Sequence, residues 1–308
     1  MAATAAKWFL MVEGRMLNSA LVVGSELILS LYPILIKTVP VSLDTQVLSR
    51  ILTFSLAAAL LAPSNAIAKT WGTLGAATRS SGLGAITLAH VATSYYAFKE
   101  LPAGVAMSLF YTYPILNLLG GAVIFGEEIS AFQLLMMLVG FIGVLCVSFG
   151  SSGSLTTSEE GEKKEIKWLG VMSALAAAVT EVAMYFAVRT TIQTNPFTSI
   201  LELYPGAAIL MLVFLGVRGG FGMFDSIDKV GANWTSMTLF NLFIGFAGYA
   251  TRFYAIPKVS TFIFSILSYV GVVSSFFFGW LFVGEVPSTL SLLGAALIST
   301  ASAATVEF

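Results

Sequence analysis

Long apolar runs, separated by short turn-rich breaks, follow one another along almost the whole chain. With a window of about 19 residues, they resolve into spans at 16–38, 43–66, 80–99, 101–125 and 130–150, then at 167–190, 196–217, 235–255, 258–283 and 287–306. One bilayer crossing takes about 20 residues, so each run predicts one membrane helix. Between the two sets lies 151–166, SSGSLTTSEEGEKKEI, rich in Ser, Gly and mixed charge and without apolar period, which predicts a solvated linker. The expected architecture is an all-α polytopic membrane protein of ten transmembrane helices, with a first five-helix unit at 1–150, the linker at 151–166 and a second five-helix unit at 167–308.

The two units align on each other without a gap. One constant offset carries Tyr96-Ala97 onto Tyr254-Ala255, Leu109 onto Leu267, Tyr111 onto Tyr269, Gly121 onto Gly279, and Gly126-Glu127 onto Gly284-Glu285. Each unit holds an odd number of spans, so the second enters the membrane from the opposite side, and the expectation is an inverted-topology repeat of the transporter kind. Lysines and arginines divide almost evenly between the two sides, which leaves absolute orientation open.

Composition narrows the function classes. Of 308 residues, 57% are hydrophobic and 10% charged, 15 Lys and Arg against 16 Asp and Glu, far below the roughly 25% charge of a soluble domain. A net charge of -1 and the absence of a long basic run leave nothing to grip a nucleic-acid backbone. The single cysteine, Cys146, allows no intrachain disulfide, and the single histidine, His90, allows no zinc-type cluster. No nucleophile stands with a plausible base and no Gly-Lys-Ser/Thr loop cradles phosphate, so neither an enzyme, a cofactor nor an ATP motor is expected.

The stretch 96–130, YAFKELPAGVAMSLFYTYPILNLLGGAVIFGEEIS, and its counterpart ending in GWLFVGEVPSTLSLLGAAL carry recognisable elements. Leu101-Pro102-Ala103-Gly104 opens span 4, Tyr113-Pro114 lies inside it, a Gly-Glu closes the fourth span of each half, and Arg50 begins span 2. In these features the chain resembles the drug/metabolite transporter superfamily, EamA-like branch. The resemblance implies ten helices, alternating access, and a cavity between the halves lined by the first, third and fourth helices and their second-half counterparts. It leaves the substrate open among amino acid, amine, nucleotide-sugar and organophosphate classes. Two departures stand out: Val272 where the repeat would place the partner of Pro114, and no Lys or Arg in span 9 of the sort phosphate-carrying relatives use.

Charged groups inside spans cost about 2.5–3.5 kcal/mol each at helix centre, so Glu26, Arg50, His90, Glu181, Glu202 and Arg252 need reasons. Ser19, Glu26, Ser30, Pro33 and Lys37 share one face of span 1; Ser173, Glu181 and Tyr185 share one of span 6. Thr87, His90 and Ser94 form a stripe on span 3, and Asn241, Gly245, Gly248 and Arg252 one on span 8, largely in repeat register. Tyr111 and Tyr269 occupy equivalent places on spans 4 and 9. The substrate-binding set expected from these patterns is Glu26, Ser30, His90, Tyr111, Glu181, Tyr185, Asn241, Arg252 and Tyr269, with interhelical hydrogen bonding as the structural alternative.

Glu202 and Arg252 are expected either to pair with each other or to leave Arg252 free for a substrate carboxylate. Arg50 is expected to snorkel and support the fold or a gate. Pro33, Pro114 and Pro205 are expected to interrupt their helices. The small faces of Gly294, Ala295, Ser299 and Ala301 suit close contact with a neighbour or a homodimer mate.

The resulting reading is a secondary transporter that moves a small polar or amphipathic metabolite through a lipid membrane, with proton coupling at Glu26 or Glu181, or a counter-substrate, as the source of drive. A nucleotide-sugar or organophosphate exchanger of the same fold, an intramembrane channel and a structural membrane protein are the alternatives.

Overall fold

Several helix starts and stops have a local cause. Ser42, Thr73 and Ser260 stand in extended backbone and cap the following helix, their hydroxyls accepting from Thr45, Ala76 and Ile263 N–H at 3.2 Å each, while Asn195 accepts from Phe197 N–H at 2.9 Å just ahead of Pro196. Gly126, Gly219 and Gly284 end their helices at φ of 65°, 65° and 76°, a conformation that side chains disfavour.

The computed structural model describes residues 2–101, 103–152, 168–191, 195–219, 227–284, 286 and 288–306. Most of the expected linker, 153–166, and also Pro102 and Glu285, lie outside the described residues. The described residues form α1 (Ala2–Leu29), α2 (Tyr32–Thr38), α3 (Leu43–Leu61), α4 (Ala66–Trp71), α5 (Leu74–Glu100), α6 (Ala103–Phe110), α7 (Tyr113–Phe125), α8 (Ala131–Ser152), α9 (Trp168–Thr190) and α10 (Pro196–Arg218). They continue as α11 (Ile227–Phe240), a π-helical segment Asn241–Phe246, α12 (Ala247–Ala255), a 3-10 turn Ile256–Lys258, α13 (Thr261–Ser268), α14 (Val270–Phe278), a second π segment Gly279–Val283 and α15 (Thr289–Val306).

Two of the three expected proline breaks form. A proline ring clashes with the carbonyl four residues back: for Pro33 that is Leu29, the last residue of α1, and for Pro114 it is Phe110, the last of α6. Pro205 departs from expectation, because α10 runs through it. The next residue, Gly206, packs directly on the α5 backbone at Ser80 and Gly84. A break also forms without proline, at Tyr269 between α13 and α14, beside Gly271, whose bare backbone meets Tyr111 and Glu26.

Among the described residues, six stretches have the length and hydropathy of a crossing: Met16–Thr38, Ala106–Phe125, Ala131–Gly150, Trp168–Thr190, Pro196–Arg218 and Thr261–Phe282. Their outer faces carry Val123, Val213, Val217 and Phe282, all exposed, while Glu26, Arg50, His90 and Arg252 are at most 4% exposed. Apolar outside and charged inside is the arrangement hydrocarbon demands, and the protein is an integral, multi-pass membrane protein.

Helix pairs set the frame of the interior. α5 packs between α9 and α10, α3 lies against α10, α1 against α12, α7 against α13, and α8 against α15. Bare glycines allow the closest approaches: Gly84 on Gly206, and Gly143 on Gly294. The small face of α15 is thus used at Gly294 by α8 of the same chain, where Cys146 also packs.

Candidate functional site

Ionisable side chains from four helices meet at one point. The Arg252 guanidinium on α12 lies with Nη1 3.1 Å from Oε1 of Glu26 on α1 and Nη2 2.6 Å from Oε1 of Glu181 on α9. Nη2 also donates to the Tyr113 hydroxyl at 3.3 Å, and the guanidinium lies over the Tyr113 and Phe264 rings at 5.5 and 5.1 Å. His90 on α5 completes the group, with Nε2 3.3 Å from Glu181 Oε2 and Nδ1 3.2 Å from the Ala177 carbonyl. Both ring nitrogens therefore face oxygen acceptors, and only the doubly protonated ring donates to both.

Small residues make this meeting possible. A Cβ at Gly248 would come within 2.8 Å of Leu29, so α12 presses onto α1 one turn before Arg252 reaches Glu26. Ala174, Ala177 and Ala178 are fully buried on α9 and let α5 approach until His90 touches backbone. The π segment keeps Asn241 and Gly245 on the same stripe: Asn241 Nδ2 donates to Ser49 at 3.2 Å and its Oδ1 accepts from Tyr32 at 3.0 Å. The expected pairing of Glu202 with Arg252 does not form. Glu202 sits 3.5 Å from Arg79, because Arg252 is already held by two carboxylates.

A second buried cation stands apart from the first. The Arg50 guanidinium lies among four rings, 4.7 Å from Tyr32, 4.8 Å from Tyr249, 5.4 Å from Phe54 and 5.7 Å from Tyr95. Its Nη2 donates to Tyr204 at 3.2 Å, its Nε has no hydrogen-bond partner, and among the described residues no carboxylate pairs with it. Snorkelling is thereby corrected. α3 starts at Leu43, which puts Arg50 two turns inside the helix, and the tyrosine faces hold it there. The arginine itself is plain in the sequence, but its cage is assembled from five helices and leaves no local signal.

Both arginines line one cavity of about 60 Å³, together with Glu26, Ser30, His90, Ser94, Tyr111 and Tyr249. Of the residues expected at a binding site, Glu26, Ser30, His90, Tyr111 and Arg252 therefore share its wall, and Glu181 stands directly behind as partner to two of them. Asn241 touches the cavity only through Tyr32. Tyr185 and Tyr269 lie elsewhere. The Tyr185 hydroxyl accepts from Arg189 at 2.9 Å, and Tyr269 is buried against Gly140 of α8. Tyr113, whose ring lies 5.4 Å from that of Tyr111 and whose hydroxyl reaches Arg252, is the site residue that sequence reading treats only as part of the Tyr113-Pro114 family signature.

The cavity runs toward one end of the bundle, where Ile36 and Phe98 line it. The other end is tied shut. Arg189 pairs with Glu127 and donates to the Val259 carbonyl at 2.8 Å, joining α9, the end of α7 and the start of α13, while Arg79 donates to Thr191 at 3.1 Å.

These features define an all-helical multi-pass membrane protein with a polar chamber at its centre. Residues 17–149 match the EamA-like transporter family. It is 28% identical over 207 residues to "Uncharacterized transporter YdfC" of Bacillus subtilis (strain 168), a match covering 65% of this chain and 61% of that one. A solved structure titled "Crystal structure of protein" shares the fold, with a TM-score of 0.69 over 94% of this chain and 96% of the other at 16% identity.

Proposed function

We propose that the protein is a secondary transporter that carries a small polar or amphipathic solute through the central cavity by alternating access. The observation that carries this reading is the pairing of a charged chamber on one side of the Glu26–Arg252–Glu181 group with a tied end on the other. A structural membrane protein has no use for a hollow lined by two buried arginines, each expensive to hold in hydrocarbon. The transporter name of the Bacillus relative points the same way.

The frame for such motion is ten membrane helices in two inverted five-helix units, 1–150 and 167–308, joined by 151–166. What supports it is the packing pattern: α5 on α9 and α1 on α12 exchange under the repeat, while α3 on α10, α7 on α13 and α8 on α15 map onto themselves. Glu26, Ser30, His90, Tyr111 and Arg252 contact the solute, with Glu181 positioning Arg252. Protons or a counter-substrate supply the drive. Exposure of the two ends in turn tests this: in a Cys146→Ser background, single cysteines at Ile36 and at Thr261 should change labelling rate in opposite directions when solute is added. Parallel change at both positions would reject alternating access.

A further inference from the structure

Arg50 lines the cavity but is not among the residues that the transport reading uses. Among the described residues, Arg252 meets Glu26 and Glu181, His90 meets Glu181 and Arg189 meets Glu127, whereas no carboxylate meets Arg50, which is only 3% exposed. Its strongest electrostatic neighbours are Tyr204, Tyr249, Tyr32 and Tyr95, not a glutamate. We propose that Arg50 and Tyr95 hold a small inorganic monoanion of the chloride class on the cavity wall. This site goes beyond the transport reading and stands independently of it.

Charge, donors and place all point to an anion. A buried cation without a counter-charge is costly in hydrocarbon. The faces of Tyr32, Phe54, Tyr95 and Tyr249 offset part of that cost, but none of them carries a full negative charge. The donors are also in surplus, because a guanidinium has only N–H groups to offer. Its Nη2 donates to Tyr204 at 3.2 Å. Tyr95, 2% exposed and beside the guanidinium, completes no hydrogen bond with its hydroxyl, so its O–H is unspent, whereas Tyr32 spends its proton on Asn241 at 3.0 Å. A cation ringed by unspent donors lacks an acceptor, and a charged acceptor makes the strongest such bonds. Place agrees with this. Arg50, Tyr95 and Tyr249 share the cavity wall with Glu26, whose carboxylate is met by Arg252 at 3.1 Å. At about 60 Å³, the cavity has room for a few waters at roughly 10–15 Å³ each, so a halide fits there.

The test uses purified protein in detergent and sodium gluconate, with chloride replacing gluconate stepwise at fixed ionic strength. The midpoint of thermal unfolding should rise and saturate with chloride, since a ligand that binds the folded state alone stabilises it. Potassium in place of sodium should change nothing. Tyr95→Phe keeps the ring and removes an O–H that no protein group accepts, so it should fold as before and raise the half-saturating chloride concentration about tenfold, the worth of one hydrogen bond to a charged acceptor. Arg50→Gln should lose the chloride response entirely; if it fails to fold, the unmodified protein and Tyr95→Phe decide alone. The absence of a saturable response, or an unchanged half-saturation in Tyr95→Phe, would overturn the proposal. Formate in place of chloride separates the two sources of a small negative charge: a stronger response to formate would mean that Arg50 reads a carboxylate, and would overturn the inorganic-anion site. A chloride response without flux of any solute in proteoliposomes would reject the transport reading and leave the anion site standing.

Discussion

Arg252 Nη2 lies 2.6 Å from Glu181 Oε1, and the same guanidinium reaches Glu26 with its other terminal nitrogen, so one cation ties α12 to both α9 and α1. Removing a partner from a buried ion group costs about 3–5 kcal/mol, because the charge left behind is uncompensated. Arg252→Gln strands two carboxylates, whereas Glu26→Gln leaves one arginine with one glutamate. The expected order of destabilisation is therefore Arg252→Gln well above Glu26→Gln, read from unfolding of the purified protein in mixed micelles. An equal loss in both would mean that Arg252 is not the hub.

The tie between Arg189 and Glu127 holds the far end closed. Partly exposed pairs contribute up to about 1 kcal/mol, and an equal shift in a two-state balance changes populations about fivefold. Glu127→Gln should then raise labelling of a cysteine at Asn117 about fivefold. Asn117 is fully buried with both amide atoms unpartnered, facing the α13 side where Ser265 is also unpartnered. Unpaired buried polar groups call for an explanation, and wetting of this α7–α13 seam in the other conformation supplies one. Labelling that stays at its original rate would leave the seam permanently dry.

What the sequence made legible follows from periodicity. The apolar runs, and the faces that Glu26 and His90 share with their polar neighbours, lie on single helices, where spacing alone reports a shared face. Partnerships between helices were not legible. Glu202 and Arg252 sit at similar depth on adjacent spans, yet the close α12–α1 contact at Gly248 takes Arg252 to Glu26 and leaves Glu202 to Arg79. One constant offset in sequence carries Tyr111 onto Tyr269, but the two stand apart in space: the first lines the cavity and the second packs on Gly140. Arg50 was misread for the same reason, its cage being drawn from separate elements.

Close helix crossings give a separate prediction. A Cβ at Gly84 would lie 2.6 Å from backbone atoms of Gly206 and Ala207, which have no rotamer to yield. Overpacking of this kind costs about 1–3 kcal/mol, so Gly84→Ala should lower the midpoint of thermal unfolding. Gly82, two residues earlier on the same helix, has open space around its Cβ position. Gly82→Ala should leave the midpoint unchanged or raise it, since alanine in a helix is favoured over glycine by about 1 kcal/mol. Equal loss in both variants would point to helix flexibility rather than the α5–α10 contact.

Coupling separates the two central glutamates. Glu26 lines the cavity and Glu181 stands behind Arg252, so in the proposed mechanism only Glu26 meets both solute and water. A carboxylate that binds solute in one step and a proton in another links the two flows, because the second cannot occupy the site until the first leaves. Glu26→Gln cannot exchange a proton. In proteoliposomes it should therefore lose uptake driven by a pH gradient while keeping part of its counterflow exchange, which requires no net proton movement. Glu181→Gln should weaken both processes together, since it loosens Arg252 and His90 without touching solute. A Glu26→Gln protein that still accumulates solute along a pH gradient would move coupling to the Glu181–His90 pair, and His90→Gln, measured in the same vesicles, would then be the variant that loses it.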